Sequence, residues 1–123
     1  NIVNVGELKL IQCPTFYCKM DAIIFPSLLE CFSVTPLEAL YMKKPLFASN
    51  RHFIKDICLD FPFYFNPNDH EDISKSIFDY FLNIDKHKFK ITEGREFVNR
   101  HFNSNDRTMK YIQNLISLTN LEA

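Results

Sequence analysis

Short segments of mostly apolar residues alternate with polar turns along the chain. Four of them are three to five residues long, namely Ile2–Val5, Ala22–Phe25, Pro45–Ser49 and Phe63–Phe65. Because the second segment shows no polar alternation, both faces of such a strand are expected to be covered, as in a parallel sheet. The pattern therefore predicts about four short strands in a parallel sheet.

The segment after Ala22–Phe25 carries a clear helix start. Thr35 can cap a helix, Pro36 suits the first helical position, and Glu38 lies three residues after the cap, which is the spacing of a capping box. Pro45 ends this helix, because the residue before a proline avoids helical backbone angles. We therefore expect a helix between the second and third strands.

Helices are also predicted between the other strands and after the last one. Short ones fall within 7–18 and over 53–59, and Asp69 is predicted to cap a longer one. Two more cover 86–101 and 105–121. The side chains expected to face inward from the three later helices are Ile73, Ile77, Tyr80, Phe81, Phe89, Phe97, Phe102, Met109, Ile112 and Ile116.

This order of strands and helices predicts the fold class. It is an α/β fold: a doubly wound, Rossmann-like parallel sheet of about four strands flanked by helices, with C-terminal helices. In such sheets, ligands bind beyond the carboxyl ends of the strands. The loops after Phe25 and Ser49 and the turn around Gly6 are therefore the expected places for a site.

Composition and charge narrow the class of ligand. The chain has 123 residues, a net charge of −1 and two glycines, Gly6 and Gly94. Two isolated glycines cannot form a glycine-rich phosphate loop, and without a basic excess no nucleic-acid partner is expected. No apolar run reaches the ~18 residues of a membrane span, and no signal peptide is visible.

The cysteines and acidic residues give no sign of a metal site. Cys13, Cys18, Cys31 and Cys58 form no C-x-x-C pair, and no histidine has zinc-finger spacing. We expect them to be buried, reduced thiols of a cytosolic protein. Asp69 and Asp72 are three residues apart and are better explained by a helix start than by metal binding.

The loop after Phe25 presents two glutamates with seven residues between them, Glu30 in the loop and Glu38 in the first helical turn. Free N–H groups at a helix N-terminus can bind an anion, and a carboxylate one turn inside can accept hydrogen bonds from a ribose diol. A nucleotide-sugar would suit this geometry. Two simpler explanations stay open: Glu38 completes the capping box, and Glu30 is solvated.

The same stretch carries a resemblance to a known family. Residues 26–49 read PSLLECFSVTPLEALYMKKPLFAS, which resembles the P-S-x-x-E-x-F-G-x-x-x-x-E-A and G-x-P-V signature of retaining glycosyltransferases. These are enzymes of the two-Rossmann-domain (GT-B) architecture, family-4 type. Residues 5–25, 65–81 and 101–118 resemble further segments of that family in the same order.

The resemblance implies a role for each matched residue. Glu38 would bind the ribose hydroxyls, while Glu30, as the catalytic residue, would face the donor sugar and stabilise charge at the reacting carbon. Backbone amides would bind the diphosphate or the sugar, and a turn would lie near the base. These donor-binding positions are the amides of Phe32, Ser33, Val34 and Thr35 and the turn at Gly6 and Leu8. No metal or other cofactor is implied, since the nucleotide-sugar is a substrate.

Three positions depart from the family pattern. Ser33 replaces the glycine after the loop phenylalanine, and Lys44 replaces the glycine before the strand proline. Arg51 belongs to a segment, Asn50 to His52, that replaces a glycine-rich turn. We expect Arg51 either to contact phosphate, in the donor or in a lipid-diphosphate acceptor, or to be solvated.

The resemblance further implies that residues 1–123 are a partial C-terminal donor-binding domain. The basic phosphate-binding pair and the N-terminal acceptor domain would lie upstream of Asn1, so we expect no sugar transfer by the chain alone. A complete hexosyltransferase of this type would transfer a sugar from a UDP- or GDP-sugar with retention. Bacterial members often build surface polysaccharide (O-antigen or capsule) on a lipid-linked acceptor, in the cytoplasm at the inner membrane face.

Two other classes share part of this pattern. A non-catalytic, flavodoxin-like nucleotide-binding or interaction module would have the same order of strands and helices. A glycoside hydrolase could use the glutamate pair, but it offers no reason for the Rossmann-like order. Binding of UDP and GDP before and after Glu38→Ala would discriminate between these classes.

Overall fold

A computed structural model describes residues 2–102 of the chain. In this part, three strands and five α-helices follow a short 3-10 turn at Leu10–Gln12. The strands are β1 (Ile23–Phe25), β2 (Leu46–Ser49) and β3 (Phe63–Phe65). The helices are α1 (Cys13–Lys19), α2 (Thr35–Tyr41), α3 (His52–Cys58), α4 (His70–Leu82) and α5 (Ile84–His101).

The strands form one parallel sheet in the order β1-β2-β3. Phe25 pairs with Ala48 across the first ladder, and Ser49 pairs with Phe65 across the second. Parallel neighbours need a crossover connection, which α2 supplies between β1 and β2 and α3 between β2 and β3. The predicted α/β fold with a parallel sheet is confirmed.

Side chains of the central strand β2 are buried on both faces of the sheet. All four of its residues are buried. Leu46 and Ala48 belong to a core cluster with side chains of α1, α2, α3 and α5, whereas Phe47 packs with Phe65 and with Tyr80 of α4. Because successive side chains of a strand point to opposite faces, helices cover both sides of the sheet at β2. The cover expected on both faces of β1 is wrong, since Ile24 is 51% exposed and β1 is an edge strand of the described sheet.

The predicted strand at Ile2–Val5 is wrong. The Gly6 amide donates to the Asn4 side chain at 2.8 Å, and Gly6 takes a φ of 71°, so the chain turns there. Ile2 is fully exposed, and no neighbouring strand in residues 2–102 pairs with this segment. An apolar run without a partner strand cannot satisfy its backbone groups in a ladder, and the described sheet therefore has three strands.

The helix start predicted at Asp69 is confirmed. Its carboxylate accepts hydrogen bonds from the amides of Glu71 and Asp72. The Asp72 carboxylate in turn accepts from the Asn66 amide at 2.6 Å. Both aspartates are therefore used in ordering the backbone at the start of α4.

The capping box predicted for Thr35 and Glu38 is wrong. Val34 already has helical backbone angles and occupies the cap position, so Thr35 is the first residue of α2, and no side chain caps the helix. The Glu38 amide donates to the Val34 carbonyl at 2.9 Å. Because the helix begins one residue earlier than the box requires, the Glu38 side chain is not used for capping.

The inward faces of α4 and α5 differ in part from the prediction. Tyr80 is buried, Ile73 and Ile77 pack beside it, and Phe97 and Phe102 pack on the other core cluster. Phe81 and Phe89 are 45% and 75% exposed, so their inward placement is wrong. One series of inward positions in α5 is spaced by three or four residues. It consists of His87, Ile91, Gly94 and Val98, and Phe89 lies between the first two of these and does not face inward.

The remaining predictions on the fold have mixed outcomes. The helix predicted over 105–121, with Met109, Ile112 and Ile116, lies outside the described residues. Cys58 is buried, as expected, and burial raises the pKa of its thiol to about 12. The predicted burial of Cys18 and Cys31 is wrong. Both are exposed, since α1 and the loop after β1 present them to solvent. None of the described helices is long and apolar enough to cross a membrane.

Candidate active site

The loop after β1 begins at the carboxyl end of the sheet. Phe25 and Ala48 are the last pair of the β1–β2 ladder, and the Ser27 amide, the next donor that faces β2, makes no backbone hydrogen bond within residues 2–102. The Ser49 hydroxyl instead donates to the Ser27 carbonyl at 2.6 Å. The start of the loop is therefore fixed to the central strand by a side chain rather than by the backbone ladder.

Glu30 lies half-buried three residues further along this loop. The Ser27 hydroxyl donates to Glu30 Oε1 at 2.9 Å. The structure therefore does not support the explanation that Glu30 is simply solvated. One carboxylate oxygen is hydrogen-bonded, and the loop presents the group beyond the carboxyl end of β1, where ligands of such sheets bind.

Glu38 lies in the first turn of α2, and its side chain is half-buried. The hydroxyl of Tyr17, a buried residue of α1, donates to Glu38 Oε2 at 2.9 Å. Burial, followed by the hydrogen bond to Glu38, raises the pKa of the Tyr17 hydroxyl. The phenol is therefore a persistent donor that orients Glu38.

Glu38 and Tyr17 line a cavity of about 420 Å³. Its volume falls in the range of small-molecule sites, which run from ~300 to ~1,000 Å³. Most of its wall is apolar and comes from α1, α2, α5 and the residues beside them: Leu10, Cys13, Pro14, Val34, Leu37, Tyr41, Met42, Val98 and Phe102. The cavity thus combines apolar walls with an oriented carboxylate.

The four predicted amide positions lie between the two glutamates. Phe32 and Val34 have exposed side chains, and Ser33 and Thr35 are half-buried. The amides of these residues make no backbone hydrogen bond within residues 2–102. Their donors are therefore available to a ligand.

Gly6, Leu8 and Glu30, which are also predicted site residues, do not line the cavity of Glu38. Gly6 and the half-buried Leu8 lie in the segment before the 3-10 turn. Among the described residues, the cavity therefore brings together Glu38 and Val34 but not the whole predicted set.

Arg51 precedes α3 in the loop after β2. Its side chain is half-buried, and its Nε is buried without a hydrogen-bond partner among residues 2–102. The Nε of this side chain is therefore shielded from solvent. A buried guanidinium nitrogen without an acceptor is costly, and a bound anion would supply one.

The backbone position that favours glycine before β2 is occupied by Lys43 and not, as the sequence predicted, by Lys44. Lys43 has a φ of 55°, whereas Lys44 does not have a positive φ. The amides of Lys43 and Lys44 donate to the carbonyls of Leu40 and Ala39, which is the pattern of a Schellman motif at the end of α2. Lys43 therefore occupies the position that favours glycine.

The sequence prediction missed three residues that orient the two glutamates. Tyr17, Ser27 and Ser49 all belong to segments that carried the family resemblance. The signal available for Ser27 was its place directly after a strand-ending proline. Nothing in the spacing of Tyr17 and Glu38, 21 residues apart, indicated that they meet.

Comparison with known proteins gives the class of this chain. Residues 2–96 match the family described as Glycosyl transferases group 1. The chain belongs to this glycosyltransferase family, and its Rossmann-like sheet is that of the GT-B type. The glycosyltransferase prediction is thus confirmed at the level of the family.

Two particular proteins show the likeness. The chain is 26% identical over 107 residues to the O-antigen chain mannosyltransferase RfbU of Salmonella typhimurium, and the match covers 87% of the chain and 28% of that protein. The fold is similar to that of sucrose-phosphate synthase from Thermosynechococcus elongatus, with a TM-score of 0.83 and 19% identity. That match covers 95% of the chain and 30% of the synthase chain. The chain therefore spans less than a third of the length of either protein.

Proposed function

We propose that this chain is the donor-binding part of a retaining glycosyltransferase of the family-4 type that uses a UDP- or GDP-sugar. The observation that carries the proposal is the Glu38 carboxylate, which Tyr17 orients at the wall of a cavity large enough for a nucleoside. One carboxylate oxygen accepts from Tyr17, and the other is available to the ribose hydroxyls. Apolar walls beside it suit the face of a base.

In the proposed reaction, Glu30 faces the donor sugar. The bond between the anomeric carbon and the diphosphate oxygen breaks, and its electron pair leaves with the nucleoside diphosphate. A new bond forms between that carbon and an acceptor hydroxyl oxygen on the same face, and the hydroxyl proton passes to the departing diphosphate. The negative charge of Glu30 stabilises the positive charge that develops at the carbon.

The diphosphate would be bound near Arg51. Its buried Nε lacks an acceptor within residues 2–102, and Arg51 follows β2 at the same edge of the sheet from which Glu30 is presented. A guanidinium binds phosphate oxygens through several donors at once. The amides of residues 32–35 would supply further donors to the diphosphate or the sugar, and the turn of Gly6 and Leu8 would lie near the base. No metal is needed for this arrangement.

The likeness to an O-antigen chain mannosyltransferase supports a place in surface polysaccharide synthesis. We propose mannose as the first sugar to test and a lipid-linked saccharide at the cytoplasmic face of the inner membrane as the acceptor. An N-terminal acceptor domain would complete the enzyme. The chain of residues 1–123 by itself would then transfer no sugar.

Titration of the complete natural protein with UDP and GDP tests the proposal. Glu38→Ala is expected to weaken binding by about 1–3 kcal/mol, or about 5- to 150-fold in Kd, because the ribose loses a charged acceptor. Glu71→Ala is the matched control, since Glu71 is also in the first turn of a helix but is exposed on α4. Equal Kd values for the wild type and Glu38→Ala would contradict the ribose role.

Release of nucleoside diphosphate separates an enzyme from a binding module. The complete natural protein is expected to release GDP from GDP-mannose or UDP from UDP-glucose, slowly with water and faster with a saccharide acceptor. Nucleotide binding without any such release would favour the non-catalytic flavodoxin-like module.

A further inference from the structure

We propose that Ser49 and Ser27, together called the serine link, are positioning residues that set the orientation of the Glu30 carboxylate during sugar transfer. Ser49 donates to the Ser27 carbonyl at 2.6 Å, and Ser27 donates to Glu30 Oε1 at 2.9 Å. The link connects the buried central strand to a carboxylate in a loop. It rests on the proposed function, in which Glu30 faces the donor sugar.

Ser49 is the fixed end of the serine link. Its side chain is 0% exposed. Burying a hydroxyl is costly unless it is hydrogen-bonded. The Ser27 carbonyl supplies the acceptor, just past the last pair of the backbone ladder, Phe25 with Ala48. Ser49 therefore sets where Ser27 lies relative to β2.

The serine link matters because the loop has little else to order it. Within residues 2–102, no backbone–backbone hydrogen bond is made by residues 27–33. The Ser27 hydroxyl has one hydrogen, and its alternative acceptor, the Leu29 carbonyl at 3.4 Å, is more distant and lies within the same loop. The path from the sheet to Glu30 thus runs through two side-chain hydroxyls.

A carboxylate that stabilises charge at one carbon atom must be placed accurately. A displacement of about 1 Å can lower a rate about 100-fold. The hydrogen bond from Ser27 occupies one oxygen of Glu30 and so limits rotation of the carboxylate, while the charge stays available to the donor. Loss of the serine link should therefore lower kcat and leave the binding of donor nucleotide nearly unchanged.

The experiment measures kcat and KM for release of GDP from GDP-mannose and of UDP from UDP-glucose by the complete natural protein. Ser27→Ala and Ser49→Ala are expected to lower kcat about 10- to 100-fold, with KM within about twofold. Ser27→Thr keeps the hydroxyl and should keep most of the activity. Ser74→Ala is the matched control, since the Ser74 hydroxyl donates to a backbone carbonyl on exposed α4, away from this loop.

A double-mutant cycle tests whether Ser27 acts through Glu30. In a Glu30→Gln background the charge is gone, so Ser27→Ala should lower kcat no further. Additive losses, or a raised KM with unchanged kcat, would overturn the proposal, because they indicate a general effect on the loop. Thermal unfolding would reveal a folding defect in Ser49→Ala. In that case the comparison of Ser27→Ala with Ser27→Thr decides whether the serine link affects kcat.

The outcomes also separate this inference from the proposed function. If the wild-type protein releases no nucleoside diphosphate from either donor, the proposed function fails and the role of the serine link fails with it. If the wild type is active and Ser27→Ala is as active, only the role of the serine link is wrong.

Discussion

The two glutamates of the site are oriented in different ways. Glu38 belongs to α2, whose backbone hydrogen bonds fix its Cα, and the hydroxyl of Tyr17 reaches it from a neighbouring helix. Glu30 lies in a loop without backbone–backbone hydrogen bonds at residues 27–33 of the described chain, and Ser27 orients it from within that loop. The helix therefore fixes the backbone of Glu38 and Tyr17 orients its carboxylate, whereas, in the described chain, the position of Glu30 depends on side-chain hydrogen bonds alone.

The difference has an energetic side. A helical backbone is formed cooperatively, so the position of Glu38 does not depend on any single hydrogen bond. A side-chain hydrogen bond contributes only about 0.5–1.5 kcal/mol net, so the orientation of Glu30 depends on a few bonds of that size. The proposed roles fit this contrast, because ribose binding tolerates small displacements and charge stabilisation at one carbon does not.

The largest effect that distinguishes the two glutamates is expected at Glu30. Glu30→Gln keeps the size of the side chain and removes its charge, so kcat for release of nucleoside diphosphate should fall about 100- to 1,000-fold. The Kd for UDP or GDP should change less than about twofold, because these nucleotides lack the sugar that Glu30 is proposed to face.

A steady-state assay on the complete natural protein and a calorimetric titration check this split between kcat and Kd. Glu71→Gln on the exposed start of α4 serves as the control for loss of one negative charge. A comparable loss of nucleotide affinity in Glu30→Gln would mean that the two glutamates do not have separate tasks.

A smaller effect is expected at Tyr17. Tyr17→Phe removes only the hydroxyl that donates to Glu38 Oε2 at 2.9 Å. Loss of this hydrogen bond should weaken UDP or GDP binding by about 0.5–1.5 kcal/mol, or about 2- to 12-fold in Kd. The kcat should stay near that of the wild type, because the Tyr17 hydroxyl donates to Glu38 and not to Glu30.

Tyr41→Phe is the matched control for the same chemical change. Tyr41 lines the same cavity, and its ring lies under the guanidinium of Arg95 at 5.2 Å. Phenylalanine retains the ring, so affinity should be unchanged. If Tyr17→Phe binds nucleotide as the wild type does, the helix alone orients Glu38, and the contrast with Glu30 becomes sharper.

Much of the fold could be predicted from the sequence because local signals agree with the packing. β3 was predicted with its observed bounds, and β1 and β2 within one residue, because each is a short apolar run bounded by turn residues. Burial on both faces holds for β2 but not for β1, where Ile24 is 51% exposed. Asp69 was predicted as a cap because its hydrogen bonds are local. Ile2–Val5 failed because strand formation needs a partner, which a local pattern does not reveal.

The candidate site could be predicted only as far as single residues. Glu30 and Glu38 were identified from their spacing and from the family resemblance. Their partners were not, because contacts such as that of Ser49 with Ser27, 22 residues apart, depend on strand register. The capping box failed because Val34 takes the cap position one residue before Thr35, which the spacing of polar residues does not reveal.

The smallest effect concerns the far end of the helix that carries Glu38. Lys43 adopts a φ of 55°, which is unfavourable for a residue with a Cβ. Lys43→Gly should raise the free energy of unfolding by about 0.5–1 kcal/mol, measured by denaturant titration. Lys44→Gly is the control and should not stabilise, because the backbone there does not favour glycine and the Lys44 ammonium donates to the Cys18 carbonyl at 3.0 Å.

The same substitution also tests the comparison of the two glutamates. If the α2 backbone fixes Glu38 as a cooperative unit, a more stable C-terminal cap should leave the Kd for UDP or GDP unchanged while unfolding becomes harder. An altered Kd in Lys43→Gly would show that α2 is not fully ordered before nucleotide binds. The orientation of Glu38 would then depend on its ligand, and the contrast between a helix-fixed and a side-chain-fixed carboxylate would no longer hold.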